Sequence, residues 1–226
     1  MSMRQSAEEK TKTHERIVEI ASARIREEGI EGPGVAEIMQ AAGLTHGGFY
    51  KHFGSRDDLI AEAADHAFAY ANGTLDKYAH DERDPLAAWV DWYLSTEHRD
   101  DPGTGCAVAA LIGDVNHGND HVRGGYDALV ERYIGILEGM LGGGSDGRRQ
   151  AIISVSTLVG SLVLARAIDD DTLSNEILRT AREALRHQPT PKSEAPASVY
   201  QPGTIVHDES PRAARNAPGM DKQRRR

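Results

Sequence analysis

The chain has 226 residues, a single cysteine and a formal net charge of −9. It is long enough to bury a core without disulfide or metal staples, and Cys106 alone excludes an intrachain disulfide. Residues 1–60 carry 8 Lys+Arg against 10 Asp+Glu, residues 61–187 carry 11 against 21, and residues 188–226 carry 7 against 4. A long-range basic field of the kind that drives non-specific nucleic-acid binding is therefore absent, and any DNA contact must rest on a small local patch.

Helical periodicity runs through the chain and no alternating β-branched run interrupts it, so the fold class is all-α. A first helix over about 10–28 places Ile17, Ile20, Ala21 and Ile25 on one side and stops at Gly29; residues 1–9 precede it as a flexible N-terminus. A short second helix, about 35–42, turns Val35, Ile38 and Met39 inward, and Gly43 closes it. Thr45 then caps a third helix over about 45–52, ended by Gly54.

Ser55 followed by Asp58 has capping-box spacing and opens a long helix over 56–77. Asp84 and Pro85 start the next helix, which carries Trp89, Trp92 and Tyr93, before a break at RDDPGTG (99–105). A short apolar helix over 106–115 and a turn at NHGND (116–120) follow. Tyr126, Leu129, Val130, Tyr133, Ile134, Leu137, Met140 and Leu141 then repeat at amphipathic spacing until GGG (142–144). AIISVSTLVGSLVLARAI (151–168) is apolar nearly all round and is expected to be buried on most sides. Its four hydroxyl-bearing residues and Arg166 argue for an interface helix over a membrane span. A last helix covers about 173–187, and residues 188–226, rich in Pro, Ser, Ala and Arg without periodicity, form a disordered tail. With no basic start joined to an apolar run, the chain is expected to be cytoplasmic, with no membrane partner.

Two short helices joined at Gly43 have the spacing of a helix-turn-helix, whose second helix enters the major groove. Gly47 and Gly48 clear side chains from that second helix, which lets the backbone approach DNA and leaves Thr45 and His46 at its start to meet phosphates or base edges. The run VAEIMQAAGLTHGGFYKHFGSRDDLIAEA (35–63) resembles the DNA-binding domain of TetR-type transcriptional regulators, above all in FYKHF followed by a capped SRDDL helix. The resemblance extends through PGTGCAVAALIGDV (102–115) and LVGSLVLARAIDDDTLSNEIL (158–178). It implies a helix-turn-helix domain over 10–55, a larger helical ligand-binding and dimerisation domain over 56–187, and 56–77 as the helix linking them.

Carried over by position, the resemblance implies a phosphate contact for Tyr50, a capping role for Thr45 and a phosphate contact for Arg56, where the family usually has Lys. Lys51 completes the basic patch. His46 is a candidate base reader, and His52 is either a phosphate contact or a solvated side chain. The family commonly has a small non-glycine residue at the position of Gly48, which weakens any assignment of base readout there. Phe49 and Phe53 read more simply as core.

Elsewhere, Cys106 follows Thr104 and Gly105 at a helix start, where a thiolate is favoured, so a thiol sensor stands as an alternative to plain packing. His117 and His121 have metal-ligand spacing only if helical, which Gly118 and Asn119 oppose, and no metal or cofactor is expected. Trp89, Trp92, Tyr93, Cys106, Tyr126 and Tyr133 are candidate linings of a ligand pocket, or else core. No nucleophile, base and orienting group can be placed by motif, so no enzymatic activity is expected. The helices at 151–168 and 173–187 occupy the place of the family's dimer-forming pair. Together these features imply a homodimeric repressor of double-stranded operator DNA, released by a small-molecule effector, or alternatively a redox-sensing repressor acting through Cys106.

Overall fold

The computed structural model describes residues 3–79, 84–143 and 146–186. The expected tail over 188–226 lies outside them. Among the described residues every regular element is helical.

Helix α1, Met3–Glu28, begins seven residues before its expected start and ends at Gly29, whose φ of +83° fits the left-handed stop. Helix α2, Val35–Ala41, starts where Glu37 accepts a hydrogen bond from the Gly34 N–H at 3.2 Å, and stops before Gly43 at φ +70°. The third element differs from expectation: His46–Lys51 is a six-residue 3₁₀ helix, not an α-helix. Two adjacent glycines offer little to hold an α-turn, and the tighter turn suits so short a piece. Thr45 sits at its N-cap with its hydroxyl unused, and its carbonyl accepts from the Gly48 N–H at 2.9 Å.

Helix α3, Arg56–Ala79, opens on Ser55, whose hydroxyl accepts from the Asp58 N–H at 3.1 Å. Helix α4, Pro85–Tyr93, is capped by Asp84, which accepts from the Ala87 N–H at 3.0 Å. The helix begun at Pro85 stops at Tyr93 instead of running to the expected break at 99–105, and Thr96–Asp100 forms a separate short helix α5, with Ser95 accepting from the His98 N–H. Helix α6, Ala107–Leu111, is shorter than expected and relaxes into turns. Helix α7, Asp120–Met140, is capped by Asn119, and Gly142 and Gly143 end it at positive φ. Helices α8, Gly147–Ala167, and α9, Asp171–Arg186, complete the described chain.

The core divides into two connected parts. Ile17, Ala21 and Ile25 of α1, Ile38 and Met39 of α2, and Phe49, Phe53 and Leu59 make the smaller one. The rings of Phe49 and Phe53 stack at 5.5 Å. Trp89, Tyr93, Leu111, Leu129, Leu137, Leu158 and Leu162 anchor the larger one. Long α3 contributes to both through Ala63, Ala67 and Leu75, and α1 packs along it. Side-chain contacts hold α3 to α7: His121 is hydrogen-bonded with Asp65 at 2.8 Å and Arg132 is ion-paired with Asp76 at 2.6 Å.

Helix α8 departs from the expectation of burial on most sides. Within one chain it packs against α7 and α9, but Ile152, Ile153 and Leu164 are 43%, 42% and 55% exposed, and Leu173 of α9 is 44% exposed. It is also the one helix among the described residues long and apolar enough to cross a membrane, yet its inward face is committed to the domain core.

Removing the Phe49 ring should destabilise the fold by about 3–5 kcal/mol, the usual magnitude for a buried Phe→Ala change. Urea unfolding of Phe49→Ala should show the loss in its midpoint, whereas Tyr50→Ala, at a side chain 72% exposed, should unfold close to the wild type.

Candidate nucleic-acid interface and the domain behind it

The 3₁₀ helix lies with Phe49 inward and Thr45, His46, Gly47, Tyr50 and Lys51 outward. This division follows from its short repeat: burying Phe49 and Phe53 fixes one side, and Tyr50 and Lys51 between them face away. No acidic side chain occurs from Thr45 to Gly54, so the outward surface is neutral to basic. Neither Gly47 nor Gly48 has a positive φ. A Cβ at Gly47 would meet nothing within 4 Å, and one at Gly48 would reach only ordinary contact with Met39 Cε at 3.5 Å. The chain's own packing thus requires glycine at neither position.

His52 and Arg56 are placed differently from this exposed group. His52 is half-buried beside His14, its ring centroid 6.1 Å away, and its Nδ1 is buried without a hydrogen-bond partner. Burial, followed by the nearby His14, Lys10 and Lys51, lowers its pKa. His14 itself stacks on Phe53 at 4.6 Å and pairs with Glu62 at 2.6 Å, tying α1 to α3. Arg56 is half-buried, and its Nη2 donates to the Ile30 carbonyl at 2.7 Å, so it braces the α1–α2 loop against the start of α3.

In the larger domain the structure gathers the aromatic residues named as a candidate pocket into one packed group. Trp89 stands edge-on to Tyr93 and to Tyr133, at 5.6 and 5.4 Å, and all three are 3% exposed or less. Cys106 is 2% exposed, with its Sγ 3.4 Å from the Tyr133 hydroxyl. Burial, then the proximity of Cys106, pushes the Tyr133 hydroxyl well above its ordinary pKa. Tyr126 is half-buried and donates to the Val108 carbonyl at 3.0 Å, and burial pushes its pKa up to about 12. Trp92 lies nearer the surface, stacked on Tyr78 at 5.3 Å and on His98 at 4.4 Å.

Sequence reasoning missed the residues that organise this group. His98, 4% exposed on α5, accepts a hydrogen bond at Nε2 from the Cys106 N–H at 2.9 Å. Its proton therefore sits on Nδ1, which donates to the Tyr93 carbonyl at 2.7 Å. Arg166 of α8 donates to the His98 and Arg99 carbonyls at 2.6 and 3.1 Å and closes α5 onto α8. Gly105 fits because a Cβ there would lie 2.8 Å from Arg166 Nη2 and 3.0 Å from the Asp101 carbonyl oxygen. The available signal was the Ser95-to-His98 cap spacing, which is too common in loops to single out one histidine. His121 turns to Asp65, and among the described residues no three His, Cys, Asp or Glu side chains are grouped to hold a metal ion.

Comparison with known proteins agrees with this architecture. The sequence profile described as "Bacterial regulatory proteins, tetR family" matches residues 17–63, from the second half of α1 through α2 and the 3₁₀ helix to the start of α3. An uncharacterised HTH-type transcriptional regulator of Mycobacterium tuberculosis (strain H37Rv) is 28% identical over 187 residues, covering 76% of this chain and 93% of that protein. The HTH-type transcriptional regulator AcrR of Shigella flexneri is 32% identical over 59 residues, 26% of this chain and 27% of that protein. Among solved structures, a TetR transcriptional regulator from Chloroflexus aurantiacus superposes with a TM-score of 0.68 at 22% identity, covering 80% of this chain and 98% of that one. The reduced form of Escherichia coli NemR superposes with the same TM-score at 19% identity, covering 80% and 99%. Residues 17–63 thus match the tetR-family profile, and the described helices share the fold of these solved regulators.

The buried, neutral His98 has a measurable consequence. Burial is the main cause that lowers its pKa, from 6.5 to about 4, so the unfolded chain binds a proton there that the folded chain refuses. The associated stability is present above pH 6.5 and is lost as pH falls toward 4, on the order of 3 kcal/mol in all. Chemical denaturation of the wild type should show a downward slope across that window, and His98→Gln should flatten part of it.

Proposed function

We propose that the protein is a homodimeric, cytoplasmic repressor, without enzymatic activity, that a small-molecule effector releases from a roughly palindromic operator. The observation that carries the DNA-binding part is the outward face of the 3₁₀ helix. Exposed Thr45, His46, Tyr50 and Lys51 surround two glycines for which the chain's own packing has no use. Backbone approach to the groove gives those glycines a purpose, Tyr50 and Lys51 meet phosphates, and His46 reaches base edges at the cleared face. Arg56 contributes mainly by bracing the loop, because its Nη2 is already engaged with a carbonyl. His52, with a buried Nδ1, offers DNA at most its outer edge.

Dimerisation through α8 and α9 is supported by the exposed apolar stripe of Ile153, Leu164 and Leu173. Gly160 lies on the same stripe, where a Cβ would meet nothing within 4 Å of its own chain, so a second helix has room to approach. A two-fold axis there would relate two recognition elements and match an operator with two half-sites. An effector favouring one arrangement of the two domains would release DNA, by no more than its differential affinity for the two states allows.

The burial of Cys106 favours this effector reading over the thiol switch, since oxidation needs access to the sulfur. Cys106→Ser should keep the response to effector; its loss would establish the thiol as the sensor.

Fluorescence anisotropy with a footprinted operator tests the interface. Tyr50→Phe should weaken binding to every operator variant by a similar factor, as a phosphate contact does, and a change in sequence preference would instead make Tyr50 a base reader. Gly47→Ala should leave the fold as stable or about 0.5–1 kcal/mol more stable, yet bind DNA less tightly. Unchanged affinity would remove the cleared face from the argument.

A further inference from the structure

A cleft of about 490 Å³ opens where the C-terminal end of α1 meets α6 and α8. Small apolar side chains, Ala109, Ala110 and Val163, form part of its wall, and Arg26 and Arg166 form another part. Arg26 is 6% exposed. Its Nε donates to the Ser22 carbonyl at 3.2 Å, its guanidinium lies 5.2 Å over the Tyr70 ring, and its Nη1 is buried with no hydrogen-bond partner. Arg166 spends Nε and Nη2 on backbone carbonyls. Among the described residues neither guanidinium has a carboxylate within ion-pair distance.

The acidic side chains at the cleft are already engaged elsewhere. Asp100 holds Arg99 at 2.6 Å, Asp171 faces Arg99 at 3.9 Å, and Glu27 leans toward Arg24 at 3.8 Å. Arg26 and Arg166 feel Asp101 only from beyond ion-pair distance, and burial, the largest influence on each, works against the charged form of both. Two desolvated cations without a directly paired carboxylate weaken a fold, and an anion entering the cleft would relieve that. Guanidinium forks match the plane of a carboxylate, and a cleft of this volume with a small-residue wall takes a short hydrocarbon body.

We propose that this cleft binds a small organic carboxylic acid, its carboxylate held by Arg26 and Arg166 and its hydrocarbon body laid against Ala109, Ala110 and Val163. Its regulatory consequence rests on the repressor reading above. Arg26 is in the last turn of α1, within the DNA-binding domain, and Arg166 is on α8, beside the dimer face. A bound acid would therefore tie the two together and fix the angle at which the recognition element is presented.

The test titrates the full chain with straight-chain carboxylates from acetate to decanoate and with benzoate, followed by calorimetry, with benzamide and inorganic phosphate as controls. The expected result is saturable binding of at least one carboxylate, none of benzamide, and a loss of affinity of about ten-fold or more in Arg26→Met. Free Arg26→Met should melt no lower than the wild type, because it removes an unpaired buried charge while keeping a side chain of similar length. Should Arg26→Met not fold, Arg26→Lys, which keeps the charge and loses the fork, must still weaken binding. Absence of carboxylate binding, binding unchanged by the Arg26 variants, or phosphate binding as tight as the best carboxylate would each overturn the proposal. Operator affinity measured in the same samples separates it from the repressor reading: intact DNA binding without carboxylate binding removes only the cleft ligand, and carboxylate binding without any operator binding removes only the repressor.

Discussion

Everything else in the structure depends on α1 being packed on two sides at once. Along its length Ile17, Ala21 and Ile25 are sealed against α3 and the small core that also holds Phe49 and Phe53. At its C-terminal end it meets α6, with Asp114 about 3.1 Å from where a Cβ on Gly29 would stand. A helix locked into close-packed surroundings moves as a body or not at all. Its orientation is therefore shared between the small core that carries the 3₁₀ helix and the larger one beside the cleft.

The same constraint explains the division of labour among polar residues around it. Arg56 and His14 are spent internally, on the Ile30 carbonyl and on Glu62, and keep the small domain rigid. Tyr50, Lys51, Thr45 and His46 have no such duties and stay exposed. In the larger domain, neutral His98 and the carbonyl-bound Arg166 hold the start of α6 against α8. The aromatic group behind them is packed ring to ring, and open space is found instead at the junction with α1.

What was legible in the sequence was legible for local reasons. Gly29 and Gly43 as stops, Asp84 and Ser55 as caps, and the 3.6-residue spacing of α1 and α7 are each set by a residue and its near neighbours. So is the inward turn of Phe49 and Phe53, since a small domain has few other apolar side chains to bury. The 3₁₀ geometry of His46–Lys51 was less legible, because adjacent glycines weaken an α-helix without saying which alternative replaces it. Helix α5 was hidden by its five-residue length, too short for any period to show.

By itself the sequence determined the helical class, the order and approximate limits of most helices, and the aromatic and basic cluster that resembles a recognition element, because periodicity, capping and turn chemistry act over a few residues. Only the tertiary structure decided that His98 is buried and neutral, that Arg56 is turned inward, and that Arg26 and Arg166, 140 positions apart in the chain, line one cleft without a carboxylate partner. Those outcomes depend on which helices pack together, and on the desolvation and hydrogen-bond partners that the packing brings.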